Sequence, residues 1–263
     1  YNKKVDWLVI DHYAIDTIWE STLRPHTKKI MVIDDLADRV HNCDLLLDQN
    51  LVENFENRYQ NLIPENCKTL LGSQFALLSP DYAKIRSNQL SRSGNINRIL
   101  IFFGGSDKNN FTKLAISALL ELDKDNLIID VIIDFNSSQI KEIRKLSKKN
   151  KNIFIYNRLK SLAPLMSKAD LAIGAGGSTT WERCCLGLPT IILICETNQK
   201  PIAESMKSLG AAIVLNPGLK LETEIKNSVM YFLNDDKQYL EMSKKAFSIC
   251  DGKGINRVID NLI

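Results

Sequence analysis

Short, nearly continuous apolar runs alternate along this chain with longer stretches in which apolar residues recur every three or four positions. The short runs are typical of strands buried on both faces of a parallel sheet, and the longer stretches of helices that cover it. In the second part of the chain the pattern predicts six strands, at residues 98–103, 128–133, 153–156, 171–173, 190–195 and 212–214. It predicts helices at residues 111–122, 138–149, 162–168, 179–186, 199–209, 221–233 and 238–250. Together these elements make a complete Rossmann-like, doubly wound domain.

The first part of the chain has the same rhythm with fewer strands. Apolar runs at residues 5–10, 30–33 and 45–47 predict three strands, with a helix over residues 16–23. A doubly wound domain usually has about five or six strands. The sequence also begins without Met, a few residues before the first strand. We therefore expect this domain to be truncated at its N-terminus.

A polar, basic segment separates the two parts. Residues 82–92 predict an exposed helix, and the Ser-Gly-Asn that follows is typical of a linker. The sequence thus predicts an α/β protein with two Rossmann-like domains. Residues 1–80 would be the C-terminal part of the first domain, 81–96 the linker and 97–263 the second domain.

Composition and charge argue against a nucleic-acid partner, a metal site and a membrane span. The chain is 44% hydrophobic and 25% charged, and its 34 basic and 31 acidic residues leave a net charge of +3. The densest basic run, residues 141–151, is interpreted as the exposed face of a helix rather than a nucleic-acid patch. Six cysteines without a CxxC pair indicate free thiols, and no His, Asp or Glu cluster has metal-ligand spacing. No apolar run approaches the roughly 20 residues needed to span a bilayer, so we expect a cytoplasmic protein.

Two glycine-rich turns follow strands of the second domain. One is Gly104-Gly105-Ser106, and the other is Gly-Ala-Gly-Gly-Ser-Thr-Thr at residues 174–180. Neither has the spacing of a dinucleotide fingerprint or of a P-loop, which argues against NAD and hydrolysed ATP as cofactors. Backbone N–H groups and hydroxyls suit a diphosphate that is held without a lysine. The alternative is an ordinary strand-to-helix turn that binds nothing.

Further polar residues follow the second turn. Glu182 lies one helical turn beyond Ser178, where its carboxylate could accept hydrogen bonds from a ribose diol. The alternative is a solvated glutamate or one that caps the helix. Asn198 and Gln199 follow the next strand, where they would face the same edge of the sheet or cap the helix after it. The residues themselves leave both choices open.

Taken together, these motifs resemble a known group of proteins. The second domain resembles the nucleotide-sugar half of GT-B proteins related to the UDP-GlcNAc transferase of peptidoglycan synthesis; the motifs are residues 104–107, 174–190, 196–199 and 251–257. More narrowly, the chain resembles the UDP-2,4-diacetamido-2,4,6-trideoxy-β-L-altropyranose hydrolases of pseudaminic acid biosynthesis. That likeness rests on Ile-Asp-His-Tyr at 10–13, Ile-Asp-Asp-Leu-Ala-Asp-Arg at 33–39 and Cys-Asp-Leu-Leu-Leu-Asp-Gln-Asn at 43–50. It covers essentially the whole chain.

The resemblance implies a GT-B-like fold and an inverting hydrolase that releases UDP from C1 of a diacetamido sugar, with no cofactor. It implies that Tyr13 reaches the sugar or the attacking water. The residues it implies for UDP are Gly176, Gly177, Ser178 and Thr179 at the diphosphate, Glu182 at the ribose, Arg158 and Leu159 at the uracil, Asn198 and Gln199 at the pyrophosphate or sugar, and Gly105 and Ser106 on the opposite wall.

The chain departs from this family at the general base. Members carry a Gly-x-Gly-His loop after their first strand, and none of His12, His26 and His41 follows such a loop. His26 and His41 are predicted to lie at the surface, and His12 to be catalytic or to orient Tyr13 or Asp11. Two other readings stay open: a GT-B glycosyltransferase with a UDP-sugar donor, and a non-catalytic nucleotide-sugar binding module.

Overall fold

The structure, a computed structural model, describes residues 3–89, 91–105, 107, 109–122 and 124–263. The chain forms two compact units, each built around a parallel sheet. The first unit runs to Leu78 and also contains Lys253–Ile263, and the second is Ser79–Gly252. Within the part of the chain that is described, no helix is both long enough and apolar enough to cross a membrane.

Four parallel strands make the sheet of the first unit, in the order β1-β2-β3-β4. They are β1 (Val5–Ile10), β2 (Thr27–Ile33), β3 (Leu45–Asp48) and β4 (Lys68–Leu71), and helix α1 (Thr17–Leu23) connects β1 to β2. The prediction of three strands was wrong because β4 lies at the edge of the sheet. An edge strand buries little, and here only Leu70 is fully buried, so its apolar signal is short.

Both faces of the first sheet are covered. Ile30, Val32 and Leu46 belong to one buried cluster, while Met31 and Leu45 belong to another. Successive side chains of a strand point to opposite faces, so this division is the period-2 signature of central strands.

The last residues of the chain complete the first unit. The final helix (Gly254–Ile259) contributes Val258 to the cluster that contains Met31 and Leu45. Near the chain end, the Trp7 indole N–H donates to the Leu262 carbonyl at 2.8 Å. The placement of residues 253–263 therefore differs from the sequence-based division, because these contacts are to residues far away in the sequence.

His41 is buried, contrary to the surface position predicted for it. Only 2% of the residue is exposed, and its Nδ1 lies 2.7 Å from a carboxylate oxygen of Glu20, which is itself fully buried. The second carboxylate oxygen of Glu20 accepts the backbone N–H of Asn42. The polar residues around His41 suggested a solvated turn, but Glu20 on α1 pairs with Nδ1 of the buried imidazole, while Nε2 is buried without a hydrogen-bond partner among the described residues. His26, by contrast, is exposed as predicted.

The second unit has a six-stranded parallel sheet in the order β10-β9-β8-β5-β6-β7. The strands are β5 (Arg98–Phe102), β6 (Ile128–Ile132), β7 (Ile153–Tyr156), β8 (Leu171–Ala175), β9 (Thr190–Leu193) and β10 (Ile213–Leu215). The helices are α2 (Pro80–Ser87), α3 (Phe111–Leu120), α4 (Ile140–Lys149), α5 (Ala163–Lys168), α6 (Thr179–Cys185), α7 (Lys200–Ser208), α8 (Leu221–Asn234) and α9 (Asp236–Ile249). The predicted doubly wound α/β domain is confirmed.

The segment predicted as an exposed helix and linker is an integral part of the second unit. Helix α2 packs against α5 and α6, and Tyr82 is only 1% exposed. Two arginines of the segment donate to backbone carbonyls: Arg86 to those of Cys185, Phe247 and Cys250, and Arg92 to those of Met166, Ala169, Leu186 and Gly187. The basic composition suggested solvation, whereas the guanidinium groups satisfy carbonyls at helix ends and in turns.

Candidate functional site

The two glycine-rich turns lie side by side at the point where the strand order of the second sheet reverses. From β5 the chain proceeds outward through β6 and β7, and then returns to place β8 on the other side of β5. Phe102 of β5 pairs with Gly174 of β8, so the turns leave adjacent strands at the same edge. In open α/β sheets, ligands bind at the carboxyl ends of the strands at such a switch point. The topology therefore brings residues 104–105 and 174–178 together at the favoured position.

The glycines of these turns have two different roles. A Cβ at Gly174 would lie 2.3 Å from the Phe102 carbonyl oxygen, so this glycine is required by the close approach of β5 and β8. Gly105 and Gly177 have nothing within 4 Å of the position of a Cβ. They present open backbone, which a ligand can approach closely. Ser106, predicted with Gly105, lies outside the described residues.

Gln199, in the short 3-10 turn after β9, supports the second glycine turn. Its side-chain oxygen accepts the backbone N–H of Gly176 at 3.3 Å and that of Cys195 at 3.1 Å. The N–H of Gly176 is therefore already donated within the protein. Asn198, the other residue predicted at this strand end, is exposed. The structure thus gives Gln199 a supporting position behind the glycine turn and leaves Asn198 accessible.

Two hydroxyl residues stand at the start of α6. Ser178 occupies the N-cap position of α6, but its side chain makes no capping hydrogen bond. Ser178 is exposed and Thr179 is half-buried. Both hydroxyls follow directly on the open backbone of Gly177.

Glu182 is not a solvated glutamate. The residue is half-buried, and its Oε2 is buried without a hydrogen-bond partner among the described residues. Burial raises the pKa of the carboxyl above its ordinary value, while Tyr82 and Arg183 act in the opposite direction. A buried polar atom without a partner is costly in a protein. A ligand that donates a hydrogen bond to this oxygen would remove that cost.

Sequence reasoning missed two residues next to Glu182. Tyr82 escaped notice because it lies in the segment predicted to be exposed. Arg183 is only 2% exposed, and its Nη2 donates to the Ala175 carbonyl at 2.7 Å and to the Thr180 hydroxyl at 3.0 Å. The available signal was a charged residue between the apolar Trp181 and Cys184.

Arg158 and Leu159, expected at the uracil, follow β7 and are exposed. The Arg158 guanidinium pairs with Asp134, 2.9 Å away, just beyond β6. In the sheet order, β7 is separated from β8 by β6 and β5. The structure therefore puts these two residues on the β7 side of the same carboxyl edge.

The first unit presents Tyr13 just beyond the end of β1. Tyr13 is 60% exposed, and the Asp35 carboxylate acts on its phenol. Partial burial and the Asp35 carboxylate raise the pKa of the phenol, so it is protonated at neutral pH. His12 is exposed, and its Nδ1 accepts the N–H of Ala14 at 3.1 Å. A neutral imidazole has one nitrogen lone pair with which to accept a proton, and here that lone pair accepts the Ala14 N–H. This contact argues against His12 as the general base.

The other polar residues at the strand ends of the first unit hold loops in place. The Asp34 carboxylate accepts the Tyr59 hydroxyl at 3.0 Å and lies 2.8 Å from the Arg39 guanidinium. Asp48 forms an ion pair with Arg58 at 2.5 Å. Burial raises the pKa of Asp48 to about 6, although Arg58 acts to lower it. Both carboxylates are therefore engaged within the protein.

The fold and the site define a class of protein. Doubly wound parallel sheets are the building blocks of GT-B-like proteins, and solved GT-B-like structures match this chain. UDP-GlcNAc 2-epimerase from Neisseria meningitidis matches with a TM-score of 0.69 at 15% identity, covering 98% of this chain and 76% of that protein. MurG from Acinetobacter baumannii matches with a TM-score of 0.64 at 16% identity, covering 98% and 73%. The predicted GT-B-like fold is confirmed.

The family follows from the sequence of the second unit. Residues 99–260 match the glycosyltransferase family 28 C-terminal domain, and the chain belongs to that family. Three curated relatives share similar identity. "Uncharacterized protein MJ1062" of Methanocaldococcus jannaschii is 27% identical over 95% of this chain and 51% of its own length. The UDP-2,4-diacetamido-2,4,6-trideoxy-beta-L-altropyranose hydrolase of Campylobacter jejuni is 27% identical over 70% and 64%. The spore coat polysaccharide biosynthesis protein SpsG of Bacillus subtilis is 28% identical over 73% and 57%.

These relatives confirm the resemblance predicted from the motifs, since one of them carries the name of the suspected hydrolase. The chain spans between about half and just under two thirds of the length of the three relatives.

Proposed function

We propose that the second unit binds the UDP part of a UDP-sugar at the edge formed by β5, β8 and β9. The observation that carries the proposal is the pair of open glycine turns at the switch point, followed by a half-buried carboxylate with an unpartnered oxygen. Open backbone N–H groups and hydroxyls suit a diphosphate, and a carboxylate oxygen suits the hydroxyls of a ribose. The two kinds of group thus follow one another along the turn and α6.

In this proposal each group has a defined partner. The backbone of Gly177 and Gly105 and the hydroxyls of Ser178 and Thr179 contact the diphosphate. Glu182 accepts hydrogen bonds from the ribose. Gly176 and Gln199 support the turn, since the N–H of Gly176 is donated to Gln199. Contacts of Ser106 and Asn198 with the diphosphate or sugar, and of the backbone at Arg158 and Leu159 with the uracil, stay predictions.

We further propose that the protein hydrolyses a UDP-linked 2,4-diacetamido-2,4,6-trideoxy sugar with inversion. A water oxygen bonds to C1 on the face opposite UDP, while the bond from C1 to the diphosphate oxygen breaks and UDP leaves with its electron pair. The proton of the water passes to a base. Tyr13 would contact the sugar or this water through its phenol, which its raised pKa keeps protonated. Support comes from the Campylobacter jejuni hydrolase, 27% identical over 186 residues.

UDP release distinguishes this reaction from its alternatives. The protein, with whatever natural sequence adjoins the chain, is incubated with the UDP-diacetamido sugar and no acceptor, and free UDP is measured. Release supports the hydrolase, and absence of release contradicts it. Release only after a sugar acceptor is added would support a glycosyltransferase, which the family 28 match favours as the second candidate. Binding of UDP without turnover under either condition would indicate a binding module.

A further inference from the structure

Arg183 carries a buried positive charge directly behind the second glycine turn. Its side chain lies on α6, and Nη1 is 2.8 Å from the position that a Cβ of Gly174 would occupy. Nη2 holds the Ala175 carbonyl at 2.7 Å. The guanidinium is therefore in contact with the strand end from which the turn begins.

The hydrogen-bonding capacity of this guanidinium is incompletely used. Among the described residues, its acceptors are the Ala175 carbonyl and the Thr180 hydroxyl, and Nε is buried with no partner. Arg92 is a useful comparison because it is also largely buried, but it donates to four backbone carbonyls. Arg92 is thus used to hold carbonyls in place, whereas Arg183 retains an unused donor.

The charge of Arg183 is also incompletely compensated. Within the described part of the chain, Arg183 makes no ion pair, and the carboxylate that acts on its pKa is that of the neighbouring Glu182. Burial lowers the pKa of the guanidinium to about 10, which still leaves it protonated at neutral pH. Holding a cation in a buried position without a direct counter-ion is costly. An anion at the turn would offset that cost through a region of low dielectric.

We propose that Arg183 is a positioning residue that supplies the counter-charge for the diphosphate at the second glycine turn. It acts from behind the turn: its guanidinium holds the Ala175 carbonyl and places positive charge beneath the backbone that the anion approaches. This inference rests on the proposed function, since it requires a nucleoside diphosphate at the site. In this role Arg183 acts through its charge and not through direct contact with the ligand. It should therefore strengthen the binding of a ligand that carries phosphate and have little effect on one that carries none.

Calorimetric titration with UDP and with uridine tests this role. Arg183→Met keeps a long side chain but removes the charge, and we expect UDP to bind about 10- to 100-fold more weakly. Uridine, which has no phosphate, should change by less than about threefold, and Arg183→Lys should recover most of the UDP affinity because it restores the charge. Lys207→Met removes a charge from an exposed position of α7 and should change UDP affinity by less than about twofold.

The outcomes separate this inference from the proposed function. If the unmodified protein does not bind UDP, the proposed function fails and the inference fails with it. If it binds UDP and Arg183→Met binds UDP equally well, only the inference is overturned. Equal weakening of UDP and uridine would show a purely structural role and overturn it too. If neither variant at Arg183 folds, the guanidinium is required by the fold rather than by the ligand, which also contradicts the inference.

Discussion

Replacement of Glu182 is the sharpest test of the candidate site. The Tyr82 phenol acts to lower the pKa of the carboxyl, and Oε2 of Glu182 is buried without a hydrogen-bond partner among the described residues. If the ribose of UDP donates to that oxygen, Glu182→Ala removes a hydrogen bond to a charged group. Such bonds contribute roughly 1.5–3 kcal/mol, and the raised pKa of the buried carboxyl offsets part of this. We therefore expect UDP binding to weaken by about 1–3 kcal/mol, or about 5- to 150-fold.

Titration with UDP and 2′-deoxy-UDP makes this prediction specific. The unmodified protein should bind 2′-deoxy-UDP more weakly than UDP if the 2′-hydroxyl is one of the donors. Glu182→Ala should bind the two ligands nearly equally, because the group that distinguishes them is gone. Glu241→Ala serves as the matched control, since it removes the same charge from an exposed position of α9. Unchanged UDP affinity in Glu182→Ala, or an undiminished preference for UDP over its 2′-deoxy form, would refute the ribose contact.

Three further predictions follow from the same geometry. Gly174→Ala should lower the free energy of unfolding by about 2–3 kcal/mol or more in denaturant titrations, because its Cβ would meet the Phe102 carbonyl oxygen. Gly177→Ala, which has open space at that position, should change the free energy of unfolding by less than about 1 kcal/mol and should weaken UDP binding. Tyr82→Phe should raise the pKa of Glu182 further and weaken UDP binding about 2- to 10-fold in calorimetry; an unchanged affinity would mean that the hydroxyl does not position the carboxylate. Burial raises the pKa of Asp48 to about 6, so the stability that this group contributes is fully present below the unfolded pKa of about 4 and is lost as the pH rises to 6. In Asp48→Asn the free energy of unfolding should therefore fall less over this pH range, by on the order of 2–3 kcal/mol. Parallel curves of stability against pH for the two proteins would contradict this.

The elements that sequence patterns predicted well are those with strong local periodicity. The six strands of the second unit are recovered because buried parallel strands are continuous apolar runs, and Leu171–Ala175 and Thr190–Leu193 are buried along their whole length. The strand Lys68–Leu71 was missed because an edge strand with one fully buried residue has no comparable signal. Element boundaries differed by a few residues, since helix ends depend on caps and on neighbouring contacts.

The residues that were misjudged share a different cause. His41 and Tyr82 lie in polar stretches, yet both are buried beside distant polar partners: a Glu20 oxygen lies 2.7 Å from Nδ1 of His41, and the Tyr82 hydroxyl donates to Sδ of Met166. Whether a polar side chain is solvated or buried depends on what packs against it. A sequence pattern does not contain that information for partners 20 or more residues away.

The sequence by itself determined the order of strands and helices, the two glycine turns and the acidic residue one helical turn beyond the second turn, because periodicity and turn chemistry are local properties. It also sufficed to indicate the family. Only the tertiary structure decided that the two turns lie on adjacent strands at the switch point, because strand order depends on where each crossover returns. The structure also showed that Glu182 keeps a buried oxygen without a partner and that Arg183 lies behind the turn, since burial and charge compensation arise only when distant segments pack together.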